Sequence, residues 1–356
     1  MTPLALGWNR HFADAWSVLY THDPFVLPSA LESGNTGALP RAARVVALHR
    51  GATIVHDTYS EVHVPDPATA PEDGGPAVGD WVAVSGTRIV GILPRRGALT
   101  RKEAGRASRT QVLAANLDRV LIVTSANQDL QPRRLDRMIA VAFEAGAQPV
   151  IVLSKADLDP DVESYVEALS ARLAGVPVVA VHTKDEQGVA PLLPYLRPGE
   201  TAMLLGTSGV GKSTLLNHLA GEVRQHVREI RAHDDRGQHT TTHRELFLLP
   251  GNRGLLVDAP GIRELALGLA TEGLERTFAD IHALADGCRF EDCGHSNEPA
   301  CAVQAAVAEG TLDPERLASF RTLLVEQAVV VRREDPRTRH EGRRKARRRK
   351  LNAPGF

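Results

Sequence analysis

The spacing of apolar positions changes three times along the chain. Between 41 and 93 they form short β-type runs at 44–48, 52–55, 61–64, 80–84 and 88–92, separated by turn residues. Five strands within about fifty residues suit a small closed barrel of the OB-fold type. From 117 onward, apolar runs at 119–124, 149–153, 176–181, 201–205, 246–249 and 254–257 alternate with helical spacing at 133–145, at 161–173 and after Lys212. In the first of these helices Leu135, Met138, Ile139 and Ala142 share one side. Strands interleaved with helices predict a mostly parallel α/β sheet, which binds its ligands at the carboxyl ends of the strands. Beyond Gly261 the spacing is helical around 271–285 and 313–331. Near the start, Leu6, Trp8, Phe12, Ala13 and Trp16 form one apolar side of a short helix, followed by a Pro/Gly/Ser-containing linker. No chemistry is assigned there. The resulting plan is an N-terminal extension (1–40), a barrel with a basic loop (41–110), an α/β domain (111–272), a helical domain (273–331) and a basic tail (332–356).

A chain of 356 residues is too long for one ordinary core, which agrees with that division. No apolar run is long enough to span a bilayer, and the N-terminus lacks the basic-then-apolar layout of a leader. The expectation is a cytoplasmic monomer with no membrane partner. A formal net charge of −1 conceals an asymmetry, because residues 331–350 hold eleven Lys/Arg against three Asp/Glu. Such a tail either binds a polyanion or merely keeps the chain in solution. The stretch 94–109 sets Arg95, Arg96, Arg101, Lys102, Arg106 and Arg109 against a single Glu103. It reads as a basic loop, serving either as a solvated linker or as a grip on RNA phosphates.

Chemistry concentrates at the predicted strand ends. Gly206-Thr207-Ser208-Gly209-Val210-Gly211-Lys212-Ser213-Thr214 follows the run 201–205 and opens a helix carrying Leu215, Leu216 and Leu219. Strand, Gly-rich turn and helix is the context a GxxxxGK[ST] phosphate loop needs, with backbone N–H groups and a helix N-terminus aimed at an anion. Lys212 would reach the β- and γ-phosphates, and Ser213 would offer its hydroxyl to Mg²⁺. Asp258-Ala259-Pro260-Gly261 ends a later strand, where the carboxylate can hold Mg²⁺ through a water and the Gly261 N–H can meet the γ-phosphate. Thr240, Thr241 and Thr242 lie between these motifs in a polar stretch, and Thr241 is the preferred additional Mg²⁺ ligand. Ser154-Lys155-Ala156-Asp157 follows the run 149–153 as an [N/T]KxD guanine motif would, with Ser in place of the usual Asn or Thr. The Asp157 carboxylate can accept from N1–H and the exocyclic amine of guanine, a donor pair that adenine lacks. The same tetrapeptide would also serve as a helix N-cap. His182-Thr183-Lys184 would add backbone contacts to the base. Cys288-x4-Cys293-x-His295-x5-Cys301 contains every cysteine of the chain and suits one tetrahedral structural Zn²⁺, whereas three buried reduced cysteines are the plainer alternative.

The order of the motifs is unusual. An ordinary GTPase runs phosphate loop, switch threonine, DxPG, guanine motif; here the guanine motif comes first. Circular permutation leaves such a site intact, because phosphate and base binding do not depend on chain order. With 78–82 (VGDWV), 93–96 (LPRR), 116–118 (NLD), 237–242 (GQHTTT) and 262–264 (IRE), this order resembles the RsgA/YjeQ family of circularly permuted GTPases over about 41–331. The resemblance implies a permuted P-loop GTPase domain between an OB-fold barrel and a zinc-binding helical domain. It implies GTP hydrolysis to GDP in late maturation of the small ribosomal subunit, stimulated by that subunit and its rRNA. It also implies a catalytic role for His239, since Ile262 stands where other GTPases often carry a water-orienting Gln.

Overall fold

Val45, Val55, Val64, Val82 and Val84 share one apolar interior, and that common face gathers five short strands into a barrel. The strands are β1 (Arg41–His49), β2 (Ala52–His56), β3 (Glu61–Pro65), β4 (Trp81–Ser85) and β5 (Arg88–Ile92). They run in the order β3-β2-β1-β4-β5, every pair antiparallel, and β3 lies beside β5. The computed structural model describes residues 1–25, 39–49, 51–65, 75–102, 110–125, 130–173, 175–185, 187–221, 244–258 and 271–334. β1 is buried continuously from Ala42 to Ala47, without the alternation expected of a strand with one wet face. The reason is an outer layer. Helix α1 (Arg10–Leu19) buries Phe12 and Trp16, and Trp8 and Phe12 pack on Trp81 at ring separations of 4.8 and 6.0 Å. The N-terminal segment, whose residues carry no chemical motif, therefore covers the back of the barrel.

The basic stretch after β5 is not simply a loop. Residues Ala98–Lys102 (β6) pair antiparallel with Thr110–Ala115 (β7), making a hairpin. Alternation there is masked by charge at Arg101 and Lys102, and Arg101 donates across the hairpin to Gln111 at 3.0 Å. Six further strands follow: β8 (Arg119–Ser125), β9 (Gln148–Ser154), β10 (Val178–Ala180), β11 (Thr201–Leu205), β12 (Arg244–Leu248) and β13 (Leu255–Asp258). Their order is β10-β9-β8-β11-β13-β12, parallel throughout except for β12. Helices α2 (Pro132–Glu144), α3 (Val162–Arg172) and α4 (Lys212–Ala220) belong to the same stretch of chain. The core joins Leu121, Val123, Val150 and Val152 of the sheet to Leu215, Leu216 and Leu219 of α4. β12 also pairs antiparallel with β1, so barrel and α/β sheet form one continuous array.

Polar residues fasten this array. Asp80, fully buried, accepts from Arg95 at 2.7 Å through both carboxylate oxygens and from the Ala77 N–H at 2.8 Å. Arg96 pairs with Asp118 at 2.8 Å, and Asp118 also accepts from the Thr201 N–H at 2.8 Å. Asn116 accepts from the Arg96 N–H at 2.9 Å and donates to the Gly79 carbonyl at 3.0 Å. Gly79 is required here: its φ is +92°, and a Cβ would fall 2.2 Å from the Ala115 carbonyl oxygen. Arg95 and Arg96 thus take carboxylate partners at the junction and are not simply part of a solvated linker.

Contacts divide the chain into two compact units, one of residues 1–131 and 142–265 and the other of 132–141 and 266–356. The second contains α5 (Thr271–Thr277), α6 (Ala279–Ala285), α7 (Ala302–Ala308) and α8 (Pro314–Glu334). The helical spacing at 271–285 is two helices, not one, broken at Phe278. Arg316 fastens this unit through Asp280 at 2.6 Å, Asp136 at 3.0 Å and the Thr277 carbonyl at 2.6 Å, over the Phe278 ring at 4.8 Å. Among the described residues no helix is long and apolar enough to cross a membrane. Replacing Asp80 with Ala strands a half-buried guanidinium and a backbone donor. The expected cost is about 3 kcal/mol, read as a lower thermal midpoint of the full chain.

Candidate nucleotide site and metal centre

Register brings the motif-bearing strand ends to one edge of the sheet. Ser125 of β8 is opposite Ser154 of β9, Ile122 is opposite Leu205 of β11, and Met203 is opposite Val257 of β13. From β8 the chain proceeds outward to β9 and β10, whereas from β11 the sheet extends the other way through β13 to β12. That divergence is a topological switch point, where the loops part and leave a crevice.

The phosphate-loop sequence occupies this crevice. Gly206 has φ +151°, and a Cβ there would meet the Val123 carbonyl oxygen at 2.2 Å, so only glycine lets the chain leave β11 along this path. Thr207 is partly covered, Ser208 and Gly209 are exposed, and Val210 anchors the turn in the core. Gly211, at φ +96°, caps α4, whose first turn presents Ser213 and Thr214 to solvent. The Lys212 ammonium bends back over the loop, donating to the Gly206 carbonyl at 2.7 Å and to that of Thr207.

The guanine-type motif meets the same loop. Ser154 is buried at the end of β9, and its hydroxyl lies 2.5 Å from the Val210 carbonyl oxygen and 3.0 Å from that of Thr124. Carrying one proton for two acceptors, the hydroxyl donates to the nearer, so this serine keeps the contact with the phosphate loop despite its shorter reach. Lys155, at φ +59°, donates to the Gly209 carbonyl at 2.9 Å. Ala156 opens a short 3-10 turn and donates its N–H to the Val181 carbonyl at 3.1 Å, tying the motif to the segment before His182. Asp157 follows, with the Lys184 ammonium 2.9 Å from Oδ2. That hydrogen bond holds the Asp157 carboxyl below its ordinary value. Sequence reading credited the 182–184 loop with backbone contacts only; a lysine three residues after a strand end gives no sign of its ion partner.

Asp258 closes β13 on the same edge of the sheet, opposite Glu245 of β12. Ala259, Pro260, Gly261 and Ile262, with His239 and Thr240, Thr241 and Thr242, lie outside the described residues. The basic tail from 335 onward does too.

In the helical unit Cys288, Cys293, His295 and Cys301 bring their ligand atoms within 4.8 Å of one another. Zinc bonds of about 2.3 Å to sulfur and about 2.05 Å to nitrogen at tetrahedral angles require S···S and S···N edges of about 3.8 and 3.6 Å. Cys288 and Cys301 are 3.8 Å apart through sulfur, and each sulfur is 3.6 Å from Nδ1 of His295. The four donors fit one structural zinc with no position left for substrate. Burial pushes His295 down, favouring the neutral imidazole that binds metal. Around these ligands, Cys301 caps α7 and accepts from the Gln304 N–H at 3.4 Å, while the Gln304 amide donates to the carbonyls of His295 and Ser296. Glu298 accepts the N–H groups of Gly294 and Ser296 at 3.0 and 2.6 Å. Gln304 was missed in the sequence, although Cys301-x-x-Gln304 has the spacing of a capping box.

Comparison with known proteins agrees with this geometry. The family profile described as RsgA GTPase matches residues 92–268. The "Small ribosomal subunit biogenesis GTPase RsgA" of Opitutus terrae is 41% identical over 351 residues, spanning 94% of this chain and 92% of that protein. The chain belongs to the RsgA family. A relative of the same description from Methanosarcina acetivorans is 45% identical over 282 residues, covering 75% of this chain and 76% of its own. Among solved structures, YjeQ from Thermotoga maritima superposes with a TM-score of 0.62 at 26% identity, covering 82% of this chain and 99% of that one. YloQ, described as a circularly permuted GTPase, gives 0.60 at 25% identity, with 83% and 96% covered. The RsgA fold of permuted P-loop GTPase and C-terminal Cys/His cluster is therefore the fold of this chain.

Two outcomes test the site. Ser154→Ala removes the hydroxyl under the phosphate loop and should weaken GDP binding about fivefold, the worth of one buried hydrogen bond, in an equilibrium titration. Cys301→Ser should reduce bound zinc from one per chain towards zero, by elemental analysis, and lower the unfolding temperature while GDP still binds.

Proposed function

We propose that this protein is a GTPase of small ribosomal subunit biogenesis, cleaving GTP to GDP and phosphate at the crevice between β8 and β11. The observation that carries the reading is the meeting of the two loops: the Ser154 hydroxyl at the Val210 carbonyl and the Lys155 ammonium at that of Gly209. A guanine-reading carboxylate and an anion cradle then serve one nucleotide, although the chain writes them in reverse order. Residues 206–214 wrap the phosphates, Lys212 neutralises the charge that builds on the β- and γ-oxygens, and the N–H of Gly261 meets the γ-phosphate. Asp157 accepts from N1–H and the exocyclic amine of guanine, and the Lys155 stem lies over the ring. Ser213, Asp258 and Thr241 would hold Mg²⁺ through the hard oxygen donors that it prefers, and the ion would offset phosphate charge. His239 orients the attacking water. A partner that holds His239 against the water would accelerate hydrolysis, and the small ribosomal subunit with its rRNA is that partner.

The zinc-binding helical domain (273–331), the barrel with its basic loop (41–110) and the tail (332–356) contact rRNA, alongside a GTPase domain of 111–272. Of the basic residues between 94 and 109, Lys102, Arg106 and Arg109 are the ones we assign to phosphate contacts, since Arg95, Arg96 and Arg101 have partners within the chain. Phosphate release should rise in the presence of small subunits, and Lys212→Ala should abolish it. Absence of stimulation, together with RNA binding and cellular effect unchanged in Lys212→Ala, would favour a nucleotide-holding scaffold instead. ATP displacing labelled GTP at comparable concentration would sink the guanine assignment.

A further inference from the structure

The loop that faces the base motif is a fixed pedestal carrying one charged arm. Val181 donates its N–H to the Leu153 carbonyl at 2.8 Å and accepts from Ala156 at 3.1 Å, so both base-side segments hang on the same strand end. The His182 N–H donates to the Gly188 carbonyl at 3.0 Å, and the Gly188 N–H to Asp185 Oδ1 at 2.9 Å, closing the loop on itself. Gly188 leaves no slack, because a Cβ there would fall 2.2 Å from Nδ1 of His182. These contacts brace the loop on either side of Lys184, whose side chain is about two-thirds exposed. Its ammonium sits 2.9 Å from Asp157 Oδ2, on the carboxylate that a guanine needs in full. A base pairing through N1–H and the exocyclic amine engages both carboxylate oxygens, so an ammonium on Oδ2 draws on an acceptor that the base also uses.

We propose that Lys184 is a built-in stand-in for the guanine base, holding Asp157 while the site is empty and competing for it whenever nucleotide leaves. This rests on Asp157 being the base-reading carboxylate. The stand-in stabilises the empty site and so hastens release of GDP and exchange for GTP. Without it, departing nucleotide would leave Asp157 unpaired beside the loop. The pair is solvent-accessible, so its strength is that of a surface ion pair, and the competition is modest and weakened by salt.

The test is the dissociation of fluorescently labelled GDP from the full chain, chased with unlabelled GDP at low and at high ionic strength. Lys184→Met keeps the stem and removes the charge. It should release GDP about two- to fivefold more slowly at low salt, with the gap closing at high salt, while Lys184→Arg keeps the original rate. Release by Lys184→Met at the original rate or faster overturns the proposal. Asp157→Asn separates this from the base assignment. That variant should exchange guanine preference for xanthine, whose O2 accepts from the new amide, and adding Lys184→Met to it should change nothing further. A shifted preference with unaltered release in Lys184→Met overturns the stand-in alone. An unshifted preference in Asp157→Asn overturns both.

Discussion

The parallel pairing of β8 with β11 is the constraint on which the nucleotide site depends. It sets Ile122 against Leu205, and because β9 continues the register on the far side of β8, Ser154 arrives level with the start of the phosphate loop. The two binding segments are about fifty residues apart in sequence, yet a single serine hydroxyl spans them. Burial of Leu121, Val123, Leu204 and Leu216 in one core holds that pairing. Main-chain hydrogen bonds between strands fix the height, and apolar contacts with α4 fix the tilt. Chain order enters neither term, which is why a permuted sequence reaches the same crevice.

A second layer of polar contacts keeps the barrel in register with that sheet. Asp80, Arg95, Arg96, Asn116 and Asp118 come from three separate short stretches and close into one network around Gly79 and Thr201. Arg44 extends it: fully buried on β1, it donates to the Leu6 carbonyl at 2.8 Å and to the Thr201 hydroxyl at 3.2 Å, with Trp81 5.6 Å beneath it. Burial lowers this guanidinium to about 10, so it stays charged at neutral pH. Removing one member of such a network costs more than its own contacts, because the partners cannot regain water.

The sequence disclosed the sheet and the site unevenly, for physical reasons. Strands β8, β9 and β11 were legible because a strand buried on both faces is an unbroken apolar run, and the glycines of 206–211 announce a turn that no other residue could make. The hairpin β6–β7 was not, since Arg101 and Lys102 on β6 erase the alternation by which strands are recognised. The N-terminal helix was visible as an apolar stripe, but nothing in a stripe says that it will cover Trp81. The partners of Arg95 and Arg96 were not legible, because a count of charges cannot see the aspartates that fold back onto them. The zinc ligands were plain from cysteine spacing, whereas Gln304 and Glu298 act through backbone groups and leave little trace. The salt bridge of Lys184 with Asp157 joins residues on two loops, and only the parallel neighbouring of β9 and β10 brings them together.

Strand β12 has two working edges. On one, Glu245 stands opposite Asp258 at the carboxyl end of β13; on the other, the same residue stands opposite Ala47 of the barrel. Adjacent strands are spaced about 4.8 Å apart, so a carboxylate at the nucleotide edge and the barrel wall are only two strand widths from each other. A shift of Asp258 along its own axis would pull on the barrel through peptide hydrogen bonds, with no flexible linker to absorb it. Mechanically, whatever grips the barrel from outside has its hand on the same rail as the nucleotide.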